Sequence, residues 1–111
     1  MNINELTKGE LLYIFNRYYK FLKFYLNHNK TFIEYLKAYC EVESKKHIKE
    51  QKHCPVCNSE GIIHAGWDDE TAICTNCGSH TETEIGDYYD EVFMDGRYCL
   101  QDWNKGKIIN L

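Results

Sequence analysis

Apolar side chains recur every three or four residues over the first quarter of the chain. This spacing is typical of one face of an α-helix. The residues that follow it are Leu11, Phe15, Tyr18, Leu22 and Tyr25. Just before them, Thr7 and Glu10 have the spacing of a capping box, in which Thr7 caps the helix and Glu10 reaches back to the Thr7 backbone. The pattern predicts a helix from about residue 8 to residue 26.

A second capping box, Thr31 with Glu34, opens a second apolar pattern. Its apolar positions predict a helix from about residue 32 to residue 49, and they are Ile33, Leu36, Tyr39 and Cys40. A short connection over residues 27–30 favours an antiparallel helical hairpin. Both apolar faces are rich in Tyr and Phe. They either pack on each other and on the rest of the chain, or also make a dimer or partner contact.

Beyond residue 54 the pattern shortens to runs typical of β-strands. Strands are predicted over residues 60–67 and 70–75, with a turn at Asp68 and Asp69, and a third strand over residues 78–85. A short helix is predicted over residues 97–104 and ends before Gly106. The predicted fold is therefore α+β: an N-terminal antiparallel helical hairpin, a small three-stranded antiparallel ribbon and a short C-terminal helix.

Four of the six cysteines form two Cys-x-x-Cys pairs, with sixteen residues between the pairs. They are Cys54, Cys57, Cys74 and Cys77. Each pair places two sulfurs on one tight turn, and two facing turns supply the four tetrahedral thiolates of a structural zinc site. Asn58 and Gly78 follow the pairs, and both residue types tolerate the left-handed backbone that such turns often need. We expect one structural Zn²⁺ per chain, in a zinc ribbon.

Other interpretations of the cysteines and histidines are less favoured. Iron also binds four thiolates, but the linker between the pairs is short for a rubredoxin-like site. His53 precedes Cys54 and would be a ligand only if it replaced a thiolate. Cys40 and Cys99 lie on predicted helix faces and are expected to be small core residues. Four protein ligands leave no open position for water, and no hydrolase or phosphate-loop motif occurs, so no enzyme is predicted.

The net charge of −4 is divided unevenly along the chain. Residues 1–53 hold ten Lys/Arg and six Asp/Glu, a balance of +4, whereas residues 54–111 hold three Lys/Arg and eleven Asp/Glu, a balance of −8. This asymmetry predicts two parts: a basic, aromatic-rich helical hairpin over residues 1–53 and an acidic zinc-ribbon domain over residues 54–111. The helical hairpin is predicted to survive removal of zinc better than the ribbon, because its capping and apolar faces do not use the metal.

The charged clusters suggest two kinds of contact. Acidic residues near the C-terminal helix form either a solvated face or an imitation of a run of phosphates that binds the basic groove of a nucleic-acid-handling protein. The partner-binding candidates are Asp87, Asp90, Glu91 and Asp95. Lysines crowd the end of the predicted second helix, where they complement the helix dipole or bind phosphate. They are Lys45, Lys46, Lys49 and Lys52.

The hydropathy pattern and the cysteines together predict a cytoplasmic protein. No stretch approaches the roughly 18 consecutive apolar residues of a membrane span. The first residues also lack the charged and apolar regions of a signal peptide. Paired cysteines without an export signal favour a metal in a reducing compartment over disulfides. We therefore expect a cytoplasmic protein with no membrane partner.

Residues 54–104 resemble the Lar-like restriction-alleviation family, small zinc-ribbon proteins of phages and prophages. The resemblance rests on Cys54-Pro55-Val56-Cys57, on Cys74-x-x-Cys77-Gly78, and on a short helix that ends in Trp103-Asn104. It implies that the four paired cysteines are the ligands and that Trp103-Asn104 is the packing signature of the closing helix. Asn58 stands where the family usually has Gly, and the resemblance does not cover residues 1–53.

Two functions of different classes follow. The resemblance implies a phage-type protein that counters a host restriction or related defence system by binding a host protein, in the host cytoplasm. The alternative is a nucleic-acid-binding or transcription-associated zinc ribbon, which the lysine cluster favours. Because phosphate binding depends on cations, the acidic balance of residues 54–111 makes direct nucleic-acid binding the weaker hypothesis. A homodimer through the N-terminal helices is the other predicted contact.

Overall fold

The computed structural model describes residues 3–24, 31–42, 44–47, 51–65, 69–84 and 97–111. Its helices are α1 (Lys8–Phe24), α2 (Phe32–Val42) and α3 (Arg97–Asn104), preceded by a short 3₁₀ turn at Ile3–Glu5. Its strands are β1 (Ser44–His47), β2 (Gly61–Ala65), β3 (Asp69–Cys74) and β4 (Thr83–Glu84). The fold is thus mixed helix and sheet, as the sequence pattern predicts.

The helix starts confirm the first predicted capping box in full, and the Thr31 cap of the second. The Thr7 N–H donates to Glu10 Oε1 over 2.9 Å, and the Glu10 N–H donates to Thr7 Oγ1 over 3.2 Å. At the second helix, the Glu34 N–H donates to Thr31 Oγ1 over 3.2 Å. These bonds satisfy N–H groups that the first turn of a helix leaves without a backbone partner.

The predicted extent of the second helix is wrong. α2 ends at Val42, and Ser44–His47 forms strand β1 where helix was expected to continue to residue 49. The next positions on the apolar face of α2 would be Glu43, Ser44 and His47, which are polar. Burial no longer favours a helix there, and pairing with the edge of β2 satisfies the backbone instead. Lys45 and Lys46 consequently lie on an edge strand, opposite His64 and Ile63.

The sheet has four strands in the described residues, in the order β1-β2-β3-β4, with every neighbouring pair antiparallel. It differs from the predicted three-stranded ribbon in two ways. β1 is added at one edge, and the predicted third strand over residues 78–85 is reduced to Thr83–Glu84 with bridges from His80 to Ile73 and Ile109. Residues 78 and 79 belong to a turn at the cysteines, which leaves them unable to continue a strand.

Alternation along the sheet separates two cores. Ile62 and Ile73 face α1 and α2, where they pack with Tyr13, Ile14, Leu36, Tyr39 and Cys40. Their neighbours Ile63 and Ala72 face the other way, toward α3, and pack with Cys54, Cys74, Cys99 and Trp103. Side chains of successive strand residues point to opposite faces, so one sheet serves both layers. Cys40 and Cys99 are buried, which confirms both as small core residues.

The sheet and the helix-side core both cross the predicted boundary at residue 53. β1 comes from the first half of the chain and pairs with β2 from the second. Tyr13 and Leu36 share a core with Ile62 and Ile73. The division at residue 53 stays a prediction about independent folding, but the structure packs both halves around one sheet.

The Trp103-Asn104 pair at the end of α3 anchors the segment that enters the first cysteine turn. The Trp103 Nε1–H donates to the Lys52 carbonyl over 2.6 Å, and the Lys52 N–H donates to Asn104 Oδ1 over 3.0 Å. Trp103 is buried, and its ring lies against Gly61. Both polar groups of the Lys52 backbone are therefore held by the closing helix.

Candidate metal centre

The first cysteine turn, which we call knuckle 1, comprises residues 54–59. The Asn58 N–H donates to the Cys54 carbonyl over 2.8 Å, and the Cys54 N–H donates to the Ser59 carbonyl over 2.9 Å. The turn requires a left-handed backbone at Asn58, whose φ is 65°. Asn is one of the few residues with a side chain that adopt this conformation readily. The local sequence is thus sufficient to explain the turn.

Knuckle 2, residues 74–79, repeats the same hydrogen bonds. The Gly78 N–H donates to the Cys74 carbonyl over 3.3 Å, and the Cys74 N–H donates to the Ser79 carbonyl over 2.9 Å. Gly78 has a φ of 76°, matching Asn58 in knuckle 1. The predicted left-handed positions after the cysteine pairs are therefore confirmed in both knuckles.

The two knuckles bring all four predicted ligand sulfurs together. The Sγ atoms of Cys54, Cys57, Cys74 and Cys77 all lie within 4.8 Å of one another. Cys54 Sγ is 3.7 Å from Cys77 Sγ, and Cys57 Sγ is 3.3 Å from Cys74 Sγ. A tetrahedron with metal–sulfur bonds of about 2.3 Å has edges of about 3.8 Å. All four cysteines are free of disulfides, so the cluster fits a metal site.

Backbone N–H groups of the knuckles are aimed at the sulfurs. The Val56 N–H lies 3.4 Å from Cys54 Sγ, and the N–H groups of Asn76 and Cys77 lie 3.4 and 3.5 Å from Cys74 Sγ. Such donors stabilise thiolates, which is the form that binds a metal. The turn backbone therefore supports the charge that four coordinating sulfurs would carry.

The metal-free thiols differ in acidity. Burial raises the pKa of Cys74 to about 12. Burial also acts to raise the pKa of Cys57, but hydrogen bonds with Ser59 and Cys74 outweigh it and hold the pKa at about 6. The pKa of Cys54 is raised, again mainly by burial. Since metal binding requires thiolates, protons held by Cys54 and Cys74 would be released when a metal enters.

Helix α1 covers knuckle 2. The Gly9 N–H donates to the Thr75 carbonyl over 2.9 Å. A Cβ at Gly9 would collide with the Cys74 carbonyl oxygen, and a Cβ at Gly78 would lie 2.8 Å from the Gly9 oxygen and 2.6 Å from Leu111 Cδ1. Only glycine permits this approach at both positions. The first turn of α1 and the second half of the cluster thus form one packed unit.

A buried hydrogen bond between Glu10 and His64 joins α1 to the sheet next to this contact. Glu10 Oε2 lies 2.8 Å from His64 Nε2, and the two side chains are 0% and 1% exposed. Glu10 therefore serves both the helix cap and a tertiary contact. Sequence reasoning assigned only the cap, because nothing in the local pattern indicates that a residue fifty-four positions away is its partner.

Polar residues beyond the four cysteines extend the site. The Cys77 thiol donates to Ser79 Oγ over 3.2 Å, and the Ser79 hydroxyl donates to Asn110 Oδ1 over 3.1 Å. Sequence reasoning missed Ser79, although a Ser two residues after the second cysteine recurs in both knuckles and was a visible signal. His53 is exposed and is not part of the four-residue cluster found among the described residues.

The structure leaves several predicted residues untested. Asp87, Asp90, Glu91 and Asp95 lie outside the described residues, as does Lys49. Within the part of the chain that the structure describes, no helix is long and apolar enough to cross a membrane.

The fold and the cluster together define a class: a small mixed helix–sheet protein whose two knuckles bring four cysteines into a cluster that fits a metal site. Comparison with protein-family models, curated proteins and solved structures finds no match to this chain.

Proposed function

We propose that the chain binds one structural zinc ion through Cys54, Cys57, Cys74 and Cys77 and acts as a zinc ribbon that contacts another macromolecule. The observation that carries the metal assignment is the cluster of four sulfurs within 4.8 Å. Four thiolates favour zinc, and they fill its coordination shell. A filled shell has no position for an activated water, so we propose no catalytic role for the metal.

We further propose that the partner is a host protein of a restriction or related defence system. The resemblance of residues 54–104 to Lar-like proteins supports this, together with the charge balance of −8 over residues 54–111. An acidic surface complements the basic groove of a nucleic-acid-handling protein and speeds association with it. Such a protein acts in the cytoplasm of the host cell.

A pull-down from a bacterial lysate with zinc-loaded protein tests this function. The matched variant replaces Asp87, Asp90, Glu91 and Asp95 by Asn or Gln, which removes charge without touching a metal ligand. We expect the captured partner to bind the variant more slowly, DNA to compete for that partner, and binding to weaken at high salt. An unchanged association rate, with DNA unable to compete, would contradict the acidic contact.

The alternative function, nucleic-acid binding, also has a structural observation in its favour. Lys45 and Lys46 lie on the edge strand β1, and Lys52 and His53 are exposed beside knuckle 1. Lysines on the edge strand and at knuckle 1 are the residue type that phosphate binding uses. A gel shift with nonspecific DNA separates the two functions, because direct binding would be strong at low salt and fall steeply as salt rises.

A further inference from the structure

The two cysteines of each pair have different hydrogen-bond partners within their knuckle. The first cysteine of each pair has backbone N–H groups 3.4 to 3.5 Å from its sulfur. The second cysteines, Cys57 and Cys77, have hydrogen bonds with Ser59 and Ser79, two residues further along the chain. They are also the more exposed cysteine of each pair. A serine hydroxyl, unlike a backbone N–H, can turn to a different acceptor, so its direction depends on what else surrounds it.

The serine of knuckle 2 is held between a ligand sulfur and the C-terminal residues. Ser79 is 1% exposed, so water has little access to its hydroxyl. Its Oγ lies 3.2 Å from Cys77 Sγ and 3.1 Å from Asn110 Oδ1. Asn110 is brought there by Ile109, which exchanges two backbone hydrogen bonds with His80 over 2.7 and 3.0 Å. The end of the chain therefore places an amide against the hydroxyl that contacts Cys77.

The direction of these two bonds has to reverse when the sulfur coordinates a metal. Without metal, the Cys77 thiol donates to Ser79 Oγ, and the Ser79 hydroxyl donates to Asn110 Oδ1. A coordinating cysteine is a thiolate, so the only hydrogen left between Cys77 and Ser79 is that of the hydroxyl. If the hydroxyl turns toward the sulfur, Asn110 Oδ1 faces an oxygen with no hydrogen between them. Half a turn of the amide replaces Oδ1 by Nδ2, which is a donor.

We propose that in the metal-bound protein the Asn110 amide donates to Ser79 Oγ and the Ser79 hydroxyl donates to the Cys77 sulfur. This role rests on the proposed metal site and makes Ser79 and Asn110 positioning residues for one of its ligands. A hydrogen bond to a thiolate stabilises its charge, and a hydroxyl that itself accepts a bond is polarised and donates more strongly. In knuckle 1 the corresponding Ser59 is only half-buried, so water can take over its contact.

Cobalt substitution tests the proposal on the full-length chain, because Co²⁺ binds the same ligands as Zn²⁺ and gives a sulfur-to-metal charge-transfer band. Ser79→Ala should move that band to longer wavelength, since a sulfur without the hydrogen bond gives up an electron more readily. It should also weaken Zn²⁺ binding by about 10–100-fold, measured by competition with a chromophoric chelator. Ser59→Ala should change both less. Thr75→Val is the matched control, because it removes a hydroxyl of knuckle 2 that donates to the Glu60 carbonyl and not to a sulfur.

Substitutions at Asn110 test the direction of the two bonds. Asn110→Asp keeps the shape of the side chain but can only accept, so it should hold the Ser79 hydroxyl toward itself and shift the band as Ser79→Ala does. Asn110→Ala leaves the hydroxyl free to donate to the sulfur and should shift the band less. In the Ser79→Ala background, Asn110→Asp should cause no further shift, whereas a direct effect of its charge would persist. Circular dichroism and metal content verify that each variant is folded.

An unshifted band in Ser79→Ala, or an equal shift in Thr75→Val, would overturn the proposal. So would equal band positions in Asn110→Asp and Asn110→Ala. That comparison holds even if Ser79→Ala fails to fold, because Asn110 is exposed. A wild-type chain that takes up neither Co²⁺ nor Zn²⁺ would instead overturn the proposed metal site. Full metal uptake with unshifted bands would leave that site standing and remove only the role of Ser79 and Asn110.

Discussion

The two knuckles have the same local design and different surroundings. Each contains Cys-x-x-Cys, a left-handed residue and a Ser whose carbonyl accepts from the first cysteine N–H. Knuckle 1 is open, with Pro55, Val56 and Asn58 exposed. In knuckle 2, Gly78 and Ser79 are buried beneath α1 and the C-terminal residues. The same short sequence therefore specifies the same turn, while its environment decides which substitutions each turn accepts.

Loss of the metal should disrupt both knuckles alike, because each would supply two of its four ligands. Cys74→Ser should release the metal and unfold the ribbon, since structural zinc contributes roughly 10–16 kcal/mol of apparent binding free energy. Cys99→Ser is the control, because Cys99 is equally buried but lies in α3. Metal analysis and circular dichroism measure the effect. A metal-free wild type, or equal metal loss in both variants, would contradict the assignment.

The same experiment tests how far the two halves depend on each other. Because α1 packs on knuckle 2 and shares a core with β2 and β3, we expect chelation to reduce the helix signal as well as the ribbon. A helix signal that survives chelation intact would instead support the predicted division at residue 53.

Loss of the buried Glu10–His64 contact, next to knuckle 2, should give the next largest effect on the free energy of unfolding. Glu10→Ala removes both the cap acceptor, worth about 1 kcal/mol, and the hydrogen-bond partner of His64 in a site closed to water, where an unpaired buried polar group costs about 1–3 kcal/mol. Glu34→Ala is the control, since Glu34 occupies the same position of the other capping box but is exposed. It should cost about 1 kcal/mol or less. Denaturant unfolding of both variants measures the difference, and equal costs would mean that the pair adds nothing to the cap.

Substitutions at Asn58 and Gly78, the positions with a left-handed backbone, test most directly how the surroundings of the two knuckles differ. Gly78→Asn retains a residue that accepts the φ of knuckle 2, yet its side chain meets the Gly9 oxygen and Leu111, so we expect a loss of about 1–3 kcal/mol. Asn58→Gly keeps the φ of the exposed knuckle and should change the free energy of unfolding by less than about 1 kcal/mol. Thermal unfolding of the zinc-loaded proteins measures both. Similar losses would show that α1 does not restrict knuckle 2.

The smallest expected effect concerns the support of knuckle 1. Asn104→Ala removes the acceptor for the Lys52 N–H, which should cost about 0.5–1.5 kcal/mol because the bond is exposed to water. Gln101→Ala, an exposed change in the same helix, is the control. Amide hydrogen exchange at Lys52 should quicken in the first variant only. Unchanged exchange would show that the Asn104 bond does not hold this segment.

The chemistry of the cluster was predictable from sequence because it is encoded in short motifs. A Cys-x-x-Cys pair followed by Asn or Gly specifies both the ligands and the turn, and the structure confirms all four sulfurs in one cluster. The helix starts were predictable for the same reason, since a capping box spans only four residues. Each of these features is stabilised by neighbours in the chain.

Tertiary structure alone decided how the parts are joined. Strand β1 forms because β2 offers an edge, a fact absent from the sequence of residues 44–47. The glycine at position 9 and the carboxylate of Glu10 acquire their roles from Cys74 and His64, which lie more than fifty residues away. A local pattern specifies what a segment can form, but the free energy of burial depends on which distant segment covers it.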